Sequence, residues 1–296
     1  MPEPAITVHG LRKSYDGVEA VKGISFEVAR GEVFGLLGPN GAGKTTTVEV
    51  LEGYRRRTAG EIAVLGIDPE TRDLELRRHV GIVLQSTGFY TRATVRESVE
   101  HMAVAYPNPR DPAETIELVG LRGKEDQRVG RLSGGQQRRL DLALALVGDP
   151  WVIFLDEPTT GFDPAARRTA WTAIRRLKEL GKTLLLTTHY LDEAQSLCDR
   201  VAIVKDGVFV AEGPPSELSR ERARYRISFD RAGERVELET DDPTELLHRL
   251  TSQALEGGER LENLTVSRPT LEDVYLELTA EAEESRPETA PAEVPS

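Results

Sequence analysis

The sequence predicts an α/β protein with a mostly parallel β-sheet covered by helices. Three observations support this prediction. Short apolar, β-branched runs alternate with longer stretches of helical periodicity. A glycine-rich loop joins one of these runs directly to a helical stretch. Near Gly213 the sequence Gly-Pro-Pro breaks the pattern, which indicates a second and smaller unit.

Five apolar runs are the expected strands of the parallel sheet, because strands buried on both faces are nearly continuous in apolar residues. They are Glu32–Leu37, Val80–Leu84, Trp151–Leu155, Thr183–Thr187 and Arg200–Val204. Earlier in the chain, Ala5–Val8 and Ile24–Val28 predict a small antiparallel edge beside that sheet.

The domain organisation follows from where such runs are missing. Residues 86–150 lack them and predict a helical insert within a domain spanning 1–218. Residues 219–280 contain a hairpin pattern, a further strand and two helical stretches, and so predict a small α+β accessory domain. Residues 281–296 carry Glu, Pro and Ala without periodicity, so we expect a disordered acidic tail.

Composition limits the functional classes. The net charge of −12 argues against a general nucleic-acid binder, which usually has a basic face. A single cysteine, Cys198, excludes an intrachain disulfide and is interpreted as a small buried residue. No apolar stretch reaches the roughly 20 residues of a spanning helix, and no secretory signal is visible. Any membrane role is therefore expected to come through a partner.

The glycine-rich loop fits the phosphate-binding pattern G-x-x-x-x-G-K-[ST], known as the P-loop. It reads Gly38, Pro39, Asn40, Gly41, Ala42, Gly43, Lys44 and Thr45, and Thr46 follows it. Glycines let backbone N–H groups surround a phosphate, and the helix that begins near Lys44 directs its positive dipole end at it. Lys44 is expected to reach the β- and γ-phosphates, and the Thr45 hydroxyl to bind Mg²⁺. The alternative is a glycine-rich turn without a ligand.

Two adjacent carboxylates end the apolar run at 151–155. Side chains alternate along a strand, so Asp156 and Glu157 can serve different ligands at the carboxyl end of the sheet. Asp156 is the candidate for holding Mg²⁺, and Glu157 for activating water as a general base. On their own, these two residues fit an ordinary solvated strand end equally well.

The segment Leu132-Ser133-Gly134-Gly135-Gln136 decides between these alternatives. Together with the P-loop and Asp156-Glu157, it resembles the signature of the nucleotide-binding subunits of ATP-binding-cassette (ABC) transporters, over roughly residues 5–215. The resemblance implies a P-loop ATPase fold with an antiparallel β edge and a helical insert. It also implies that ATP and Mg²⁺ bind here and that ATP is hydrolysed.

Four further residues match positions to which this family assigns roles. Tyr15 matches the aromatic that stacks on adenine, and Gln85 the Q-loop glutamine that touches Mg²⁺. Asp163 matches the D-loop, in which Phe162 stands where Leu is more usual. His189 matches the switch histidine that contacts the γ-phosphate and orients Glu157.

The family's mechanism implies the partners. Two subunits face each other head to tail, and each ATP lies between the P-loop of one and residues Ser133–Gln136 of the other. A homodimer is the simplest assembly, attached to a separate polytopic membrane subunit at the cytoplasmic face of the cell membrane. The run from Leu132 to Pro164 and the ending PTLEDVYLELT resemble the daunorubicin/doxorubicin-resistance type of bacterial exporter, which moves drugs, antibiotics, lipids or polysaccharides outward.

Two other functional classes remain open at this point. One is an ABC ATPase that transports nothing and acts on ribosomes or nucleic acid. The other is a P-loop small-molecule kinase, which has no need of the LSGGQ segment or of His189. The sequence identifies neither the cargo nor whether the partner ATPase is a second copy of this chain, and it indicates export only through resemblance.

Overall fold

The computed structural model describes residues 3–83, 91–222, 224–231, 234–268 and 271–276, with the side chains of 219–222 left aside. The chain divides into two compact units, residues 1–214 and 215–296. The boundary expected after residue 218 lies inside a helix that begins at Pro215. The tail expected at 281–296 falls outside the described residues.

Among the described residues of the first unit, nine strands form the sheets. They are β1 (Ile6–Tyr15), β2 (Val18–Val28), β3 (Val33–Leu37), β4 (Ala59–Val64), β5 (Val80–Val83), β6 (Val152–Asp156), β7 (Thr183–Thr188), β8 (Arg200–Lys205) and β9 (Val208–Gly213). Its α-helices are α1 (Lys44–Leu51), α2 (Leu74–Arg78), α3 (Val95–Ala103), α4 (Pro112–Leu118), α5 (Gly134–Leu146), α6 (Pro164–Glu179) and α7 (Leu191–Leu197). Between β5 and β6, the described residues from 91 onward carry only helices as their regular elements.

The central sheet has six strands in the order β5-β6-β7-β3-β8-β9. The first five run parallel, and β9 pairs antiparallel with β8. The five apolar runs correspond to β3, β5, β6, β7 and β8, so the predicted α/β class is confirmed. The antiparallel strands differ from the expectation: β1 and β2 join β4 in a sheet of their own, ordered β2-β1-β4.

Two apolar cores lie on opposite faces of the central sheet. Alternate residues of β6 separate between them: Ile153 and Leu155 pack with α3 to α7, whereas Val152 and Phe154 pack with α1 and the antiparallel sheet. This separation explains why all five residues of β6 are buried. The two-sided burial fixes the register of β6, and therefore the place where Asp156 emerges.

The second unit has its own small core. Its elements are α8 (Pro215–Arg222), β10 (Tyr225–Arg231), β11 (Glu234–Thr240), α9 (Pro243–Glu256), β12 (Glu262–Ser267) and a helical segment at 271–276. The strands form an antiparallel sheet in the order β11-β10-β12. Ile227 and Phe229 of β10 pack on Leu246 of α9. No helix among the described residues of either unit is long and apolar enough to cross a membrane.

Candidate nucleotide-binding site

Three neighbouring strands of the central sheet deliver the predicted site residues to one edge. In order across the sheet these strands are β6, β7 and β3. Asp156 ends β6, His189 follows the last residue of β7, and the glycine-rich loop follows β3. Because the strands are parallel and in register, their carboxyl ends meet at this edge, where doubly wound sheets bind ligands.

The Lys44 ammonium is buried within the loop that carries it. Its Nζ donates to the carbonyl oxygens of Gly38 at 2.7 Å and Pro39 at 2.9 Å, and the side chain is 4% exposed. Burial lowers the pKa of Lys44 from its ordinary value, while the charges of Glu157 and Asp156 act in the opposite sense. A buried cation bonded to neutral carbonyls is suited to an incoming phosphate.

The glycines of the loop serve two different purposes. A Cβ at Gly38 would lie 2.2 Å from the carbonyl oxygen of Val204, and one at Gly43 would lie 2.5 Å from that of Ala20. These two positions therefore allow close backbone packing of the loop against β8 and β2. Gly41 differs, because it has a φ of 81° and its Cβ would meet no atom within 4 Å. Only Gly41 of these three leaves open space beside the loop.

Helix α1 begins directly after this loop. Its N-cap, Gly43, provides no side-chain cap, and Lys44, Thr45 and Thr46 form the first turn. The N–H groups of a first turn have no partners inside the helix, so this end of α1 is suited to an anion. The geometry agrees with the phosphate-binding interpretation of the loop.

Hydroxyl groups surround the Asp156 carboxylate. The Thr45 hydroxyl donates to Asp156 Oδ1 at 3.2 Å, and the Thr187 hydroxyl donates to the same oxygen at 2.5 Å. A hydroxyl and a carboxylate at this distance form the all-oxygen set that Mg²⁺ prefers. Thr45 and Asp156 therefore fit the metal that their sequence positions predict.

Glu157 is held in a conformation that is unusual for a residue with a side chain. Its φ is 47°, in the left-handed region, and the residue is 7% exposed. One carboxylate oxygen, Oε2, accepts a hydrogen bond from the Thr160 hydroxyl at 2.9 Å. The other, Oε1, lies 3.3 Å from His189 Nδ1 and 3.9 Å from Lys44 Nζ. The structure thus brings together the side chains of Lys44, Glu157 and His189.

The predicted signature segment forms a capped helix tip. Ser133 is the N-cap of α5, and its hydroxyl accepts from the backbone N–H of Gln136 at 3.3 Å. In return, Gln136 Oε1 accepts from the N–H of Ser133 at 3.0 Å, which completes a capping box. Ser133 and Gly134 are exposed, and Gly135 and Gln136 are partly buried. The helix tip is therefore formed and accessible within the chain itself.

The remaining predicted residues have different placements. Tyr15 ends β1, with Lys13 Nζ 4.7 Å and the Arg55 guanidinium 5.4 Å from its ring centroid. Asp163 is the N-cap of α6 and accepts from the N–H groups of Ala165 and Ala166. Gln85 lies outside the described residues.

Two residues of the site were not predicted from the sequence. The Thr187 hydroxyl donates to Asp156 and accepts from the backbone N–H of Glu157 at 2.9 Å. Arg138 of α5 donates to the carbonyl oxygen of Asp156 at 3.0 Å, which links the signature helix to the same turn. For Thr187 a signal was available: a polar residue near the carboxyl end of a buried strand beside the one that ends in Asp156.

The fold and the site define the class: this is a P-loop protein built to bind and hydrolyse a nucleoside triphosphate. Comparison with known proteins gives the family. A sequence profile of the ABC transporter family matches residues 21–160. The chain is 38% identical to Nod factor export ATP-binding protein I of Rhizobium sp. (strain N33), over 94% of this chain and 98% of that protein. It is 46% identical to the protein of that name from Paraburkholderia xenovorans, over 74% and 73% of the two chains.

Solved structures agree with this result. The cbiO1 subunit of Clostridium perfringens, part of the ABC transporter complex cbiONQ, superposes with a TM-score of 0.66 at 31% identity, over 74% of this chain and 92% of that one. A dimeric bacterial ABC transporter cassette superposes with a TM-score of 0.64 at 26% identity, over 71% and 98% of the two chains. The chain belongs to the ABC transporter family as an ATP-binding, ATP-hydrolysing subunit.

Proposed function

We propose that two copies of this chain bind two Mg-ATP molecules between them and use their hydrolysis to drive export through a separate membrane subunit. The observation that carries the proposal is the meeting of Lys44, Asp156, Glu157 and His189 at one sheet edge. The exposed Ser133 tip of α5 supplies the complementary half-site, which each copy offers to the other. An accessible helix N-terminus with a serine hydroxyl is suited to a γ-phosphate.

The proposed chemistry assigns one role to each group. Glu157 takes a proton from the attacking water, whose oxygen bonds to the γ-phosphorus as the bond to the ADP oxygen breaks. His189 holds the Glu157 carboxylate and contacts the γ-phosphate, while Lys44 stabilises the β- and γ-phosphate oxygens. Thr45 and Asp156 would hold Mg²⁺, which would supply positive charge against the phosphate oxygens. Tyr15 stacks on adenine, and Gln85 and Asp163 complete the site as the family resemblance implies.

The direction of transport is proposed from likeness. The relatives described above are named for Nod factor export. The sequence also resembles daunorubicin/doxorubicin-resistance exporters. Both likenesses favour outward movement, and the second one suggests a drug, antibiotic, lipid or polysaccharide as the cargo. The cargo would contact the membrane subunit, and this chain would sit peripherally at the cytoplasmic face of the membrane.

A cleft in the first unit supports docking of that membrane subunit. It has a volume of about 950 Å³ and lies between α1, β5 and the helical insert. Tyr54, Ile82 and Met102 line it with exposed apolar surface. Asp156 also lines the cleft, so a segment bound there would lie close to the metal carboxylate. This proximity provides a direct route between partner binding and hydrolysis.

The site assignment is tested by two substitutions with different expected effects. Glu157→Gln keeps the shape of the side chain but removes the base, so ATP binding persists while turnover falls by at least about 10²-fold. Lys44→Ala removes the buried cation, so ATP binding itself is lost. Equilibrium binding of a fluorescent ATP analogue and steady-state phosphate release measure the two effects. Normal turnover in Glu157→Gln would show that another group is the base.

A further inference from the structure

The hydroxyl of Thr187 lies between the two functional carboxylate residues. Thr187 pairs with Asp156 in the β6–β7 register and is fully buried. Its hydroxyl donates to Asp156 Oδ1 at 2.5 Å and accepts from the backbone N–H of Glu157 at 2.9 Å. A threonine hydroxyl has a single proton, so that proton is committed to Asp156 while the oxygen serves Glu157.

Both neighbours need such a contact. Glu157 has a φ of 47°, a conformation that persists only where the surroundings over-determine it. Its N–H points into a buried turn and finds an acceptor in Thr187. The Asp156 carboxylate would rotate about its last bond without a fixed donor, and the Thr45 hydroxyl contacts it less closely, at 3.2 Å. One hydroxyl therefore fixes both a side-chain rotation and a backbone conformation.

We propose that Thr187 is a positioning residue for hydrolysis: its hydroxyl orients Asp156 toward the metal and Glu157 toward the attacking water. The inference rests on the function proposed above for those two carboxylates. Thr187 itself has no contact with substrate in this role and acts through its two neighbours. Removing the hydroxyl leaves the Glu157 N–H without its acceptor and frees the Asp156 carboxylate to rotate.

The same strand provides a matched control. Thr183, at the opposite end of β7, is also buried, and its hydroxyl accepts from the backbone N–H of Gly31 at 2.9 Å. Thr183→Val therefore removes a buried hydroxyl and an acceptor from the same strand, far from the site. A purely structural role for Thr187 predicts that Thr183→Val and Thr187→Val behave alike.

The test compares Thr187→Val, Thr187→Ser and Thr183→Val in the full chain. We expect Thr187→Val to lower kcat by up to about 10²-fold, the effect of misplacing a catalytic group by about 1 Å, with little change in the KM for ATP. Thr187→Ser keeps the hydroxyl and restores kcat to within a few-fold. Thr183→Val lowers the melting temperature as Thr187→Val does, but leaves kcat close to normal.

Binding of a fluorescent ATP analogue adds a readout that does not depend on turnover. In EDTA, Thr187→Val should bind the analogue with the same affinity as the original chain. When Mg²⁺ is added, the variant should need a higher Mg²⁺ concentration to reach half of the metal-dependent change in affinity. If Thr187→Val does not fold, Thr187→Ala takes its place in the comparison with Thr187→Ser. The inference is overturned if removing the hydroxyl changes kcat no more than Thr183→Val does, or if Thr187→Ser is equally impaired. Should Lys44→Ala and Glu157→Gln behave as proposed in that case, only the role of Thr187 fails.

Discussion

Glu52 is a carboxyl group whose environment opposes its ionisation. It follows the last residue of α1 and lines the cleft, and the described structure shows no hydrogen-bond partner for its Oε1. Burial raises the pKa of Glu52 from 4.5 to about 8, and the like charges of Asp156 and Glu49 add to the effect. The folded chain therefore binds a proton at Glu52 that the unfolded chain releases at lower pH.

This shift gives stability a definite pH dependence. Below about pH 4.5 Glu52 is protonated in both states, and stability is lost progressively as the pH rises toward about 8. We expect the Glu52→Gln variant and the original chain to have similar free energies of unfolding at pH 5. At pH 9 the free energy of unfolding of the variant should be higher by roughly 1–3 kcal/mol. Urea denaturation at the two pH values measures this, with the exposed Glu179→Gln as control. If Glu52→Gln lost as much stability between pH 5 and 9 as the original chain does, the raised pKa of Glu52 would be contradicted.

The residues that could be predicted were those with a local motif. Lys44, Thr45, Asp156, Glu157 and His189 each follow a recognisable strand, and parallel strands bring their carboxyl ends together without further information. Thr187 carried only a partial signal, as a polar residue near the carboxyl end of a buried strand. Its contacts, and those of Arg138, depend on sheet register and on helix packing, which no short sequence pattern encodes. The reason for two of the loop glycines was equally hidden from the sequence. A Cβ at Gly38 or Gly43 would collide with a backbone carbonyl of another strand, and only the structure shows this contact.

Among the elements, the helices α3 and α5 both contribute residues to the lining of the cleft. Met102 of α3 lines this cleft and is 36% exposed, whereas Val104, which follows α3, is 85% exposed and is absent from the lining. The two apolar residues lie two positions apart in sequence, but only Met102 contributes to the cleft. They form a matched pair for testing where the membrane subunit docks.

We expect Met102→Glu to abolish the stimulation of ATPase activity by the membrane subunit, because a charge in an apolar contact must be desolvated. Basal ATPase activity stays unchanged, and Val104→Glu retains the stimulation. The measurement is phosphate release with and without the membrane subunit that co-purifies with the chain, reconstituted in lipid vesicles. Full stimulation of Met102→Glu would exclude the cleft as the docking site.

Whether a strand could be recognised in the sequence depended on how completely it is buried. Strands buried on both faces were visible as apolar runs, and they became β3, β5, β6, β7 and β8. β4 and β9 were missed because their burial is partial: β9 has no fully buried residue. The pairing of β1 with β4 was also unpredictable. The strand β3, the P-loop and α1 separate β4 from the first two strands in sequence, and only tertiary packing brings β4 beside β1.

At the scale of the whole molecule, the chain combines two units with separate cores. The first unit, residues 1–214, contains the described site residues from Tyr15 to His189. The second unit, residues 215–296, has its own antiparallel sheet and a core formed by Ile227, Phe229 and Leu246. The nucleotide chemistry therefore belongs to the first unit, and we propose that the second serves dimerisation or docking.

In the mechanism that we propose, each ATP is shared between two copies of the chain. Crosslinking tests it directly, with Asn40→Cys in the P-loop and Gly134→Cys in the signature segment. Asn40 is exposed, and a Cβ at Gly134 would meet no atom within 4 Å, so both cysteines fit without strain. Cys198→Ala removes the single native thiol, and Glu157→Gln prevents hydrolysis of the bound ATP.

With Mg-ATP and a short thiol crosslinker, we expect a covalent dimer joined between positions 40 and 134. The dimer is absent without nucleotide and in the same protein carrying Lys44→Ala. If the protein binds ATP but positions 40 and 134 never crosslink between copies, the two half-sites do not meet and the shared-nucleotide mechanism is wrong.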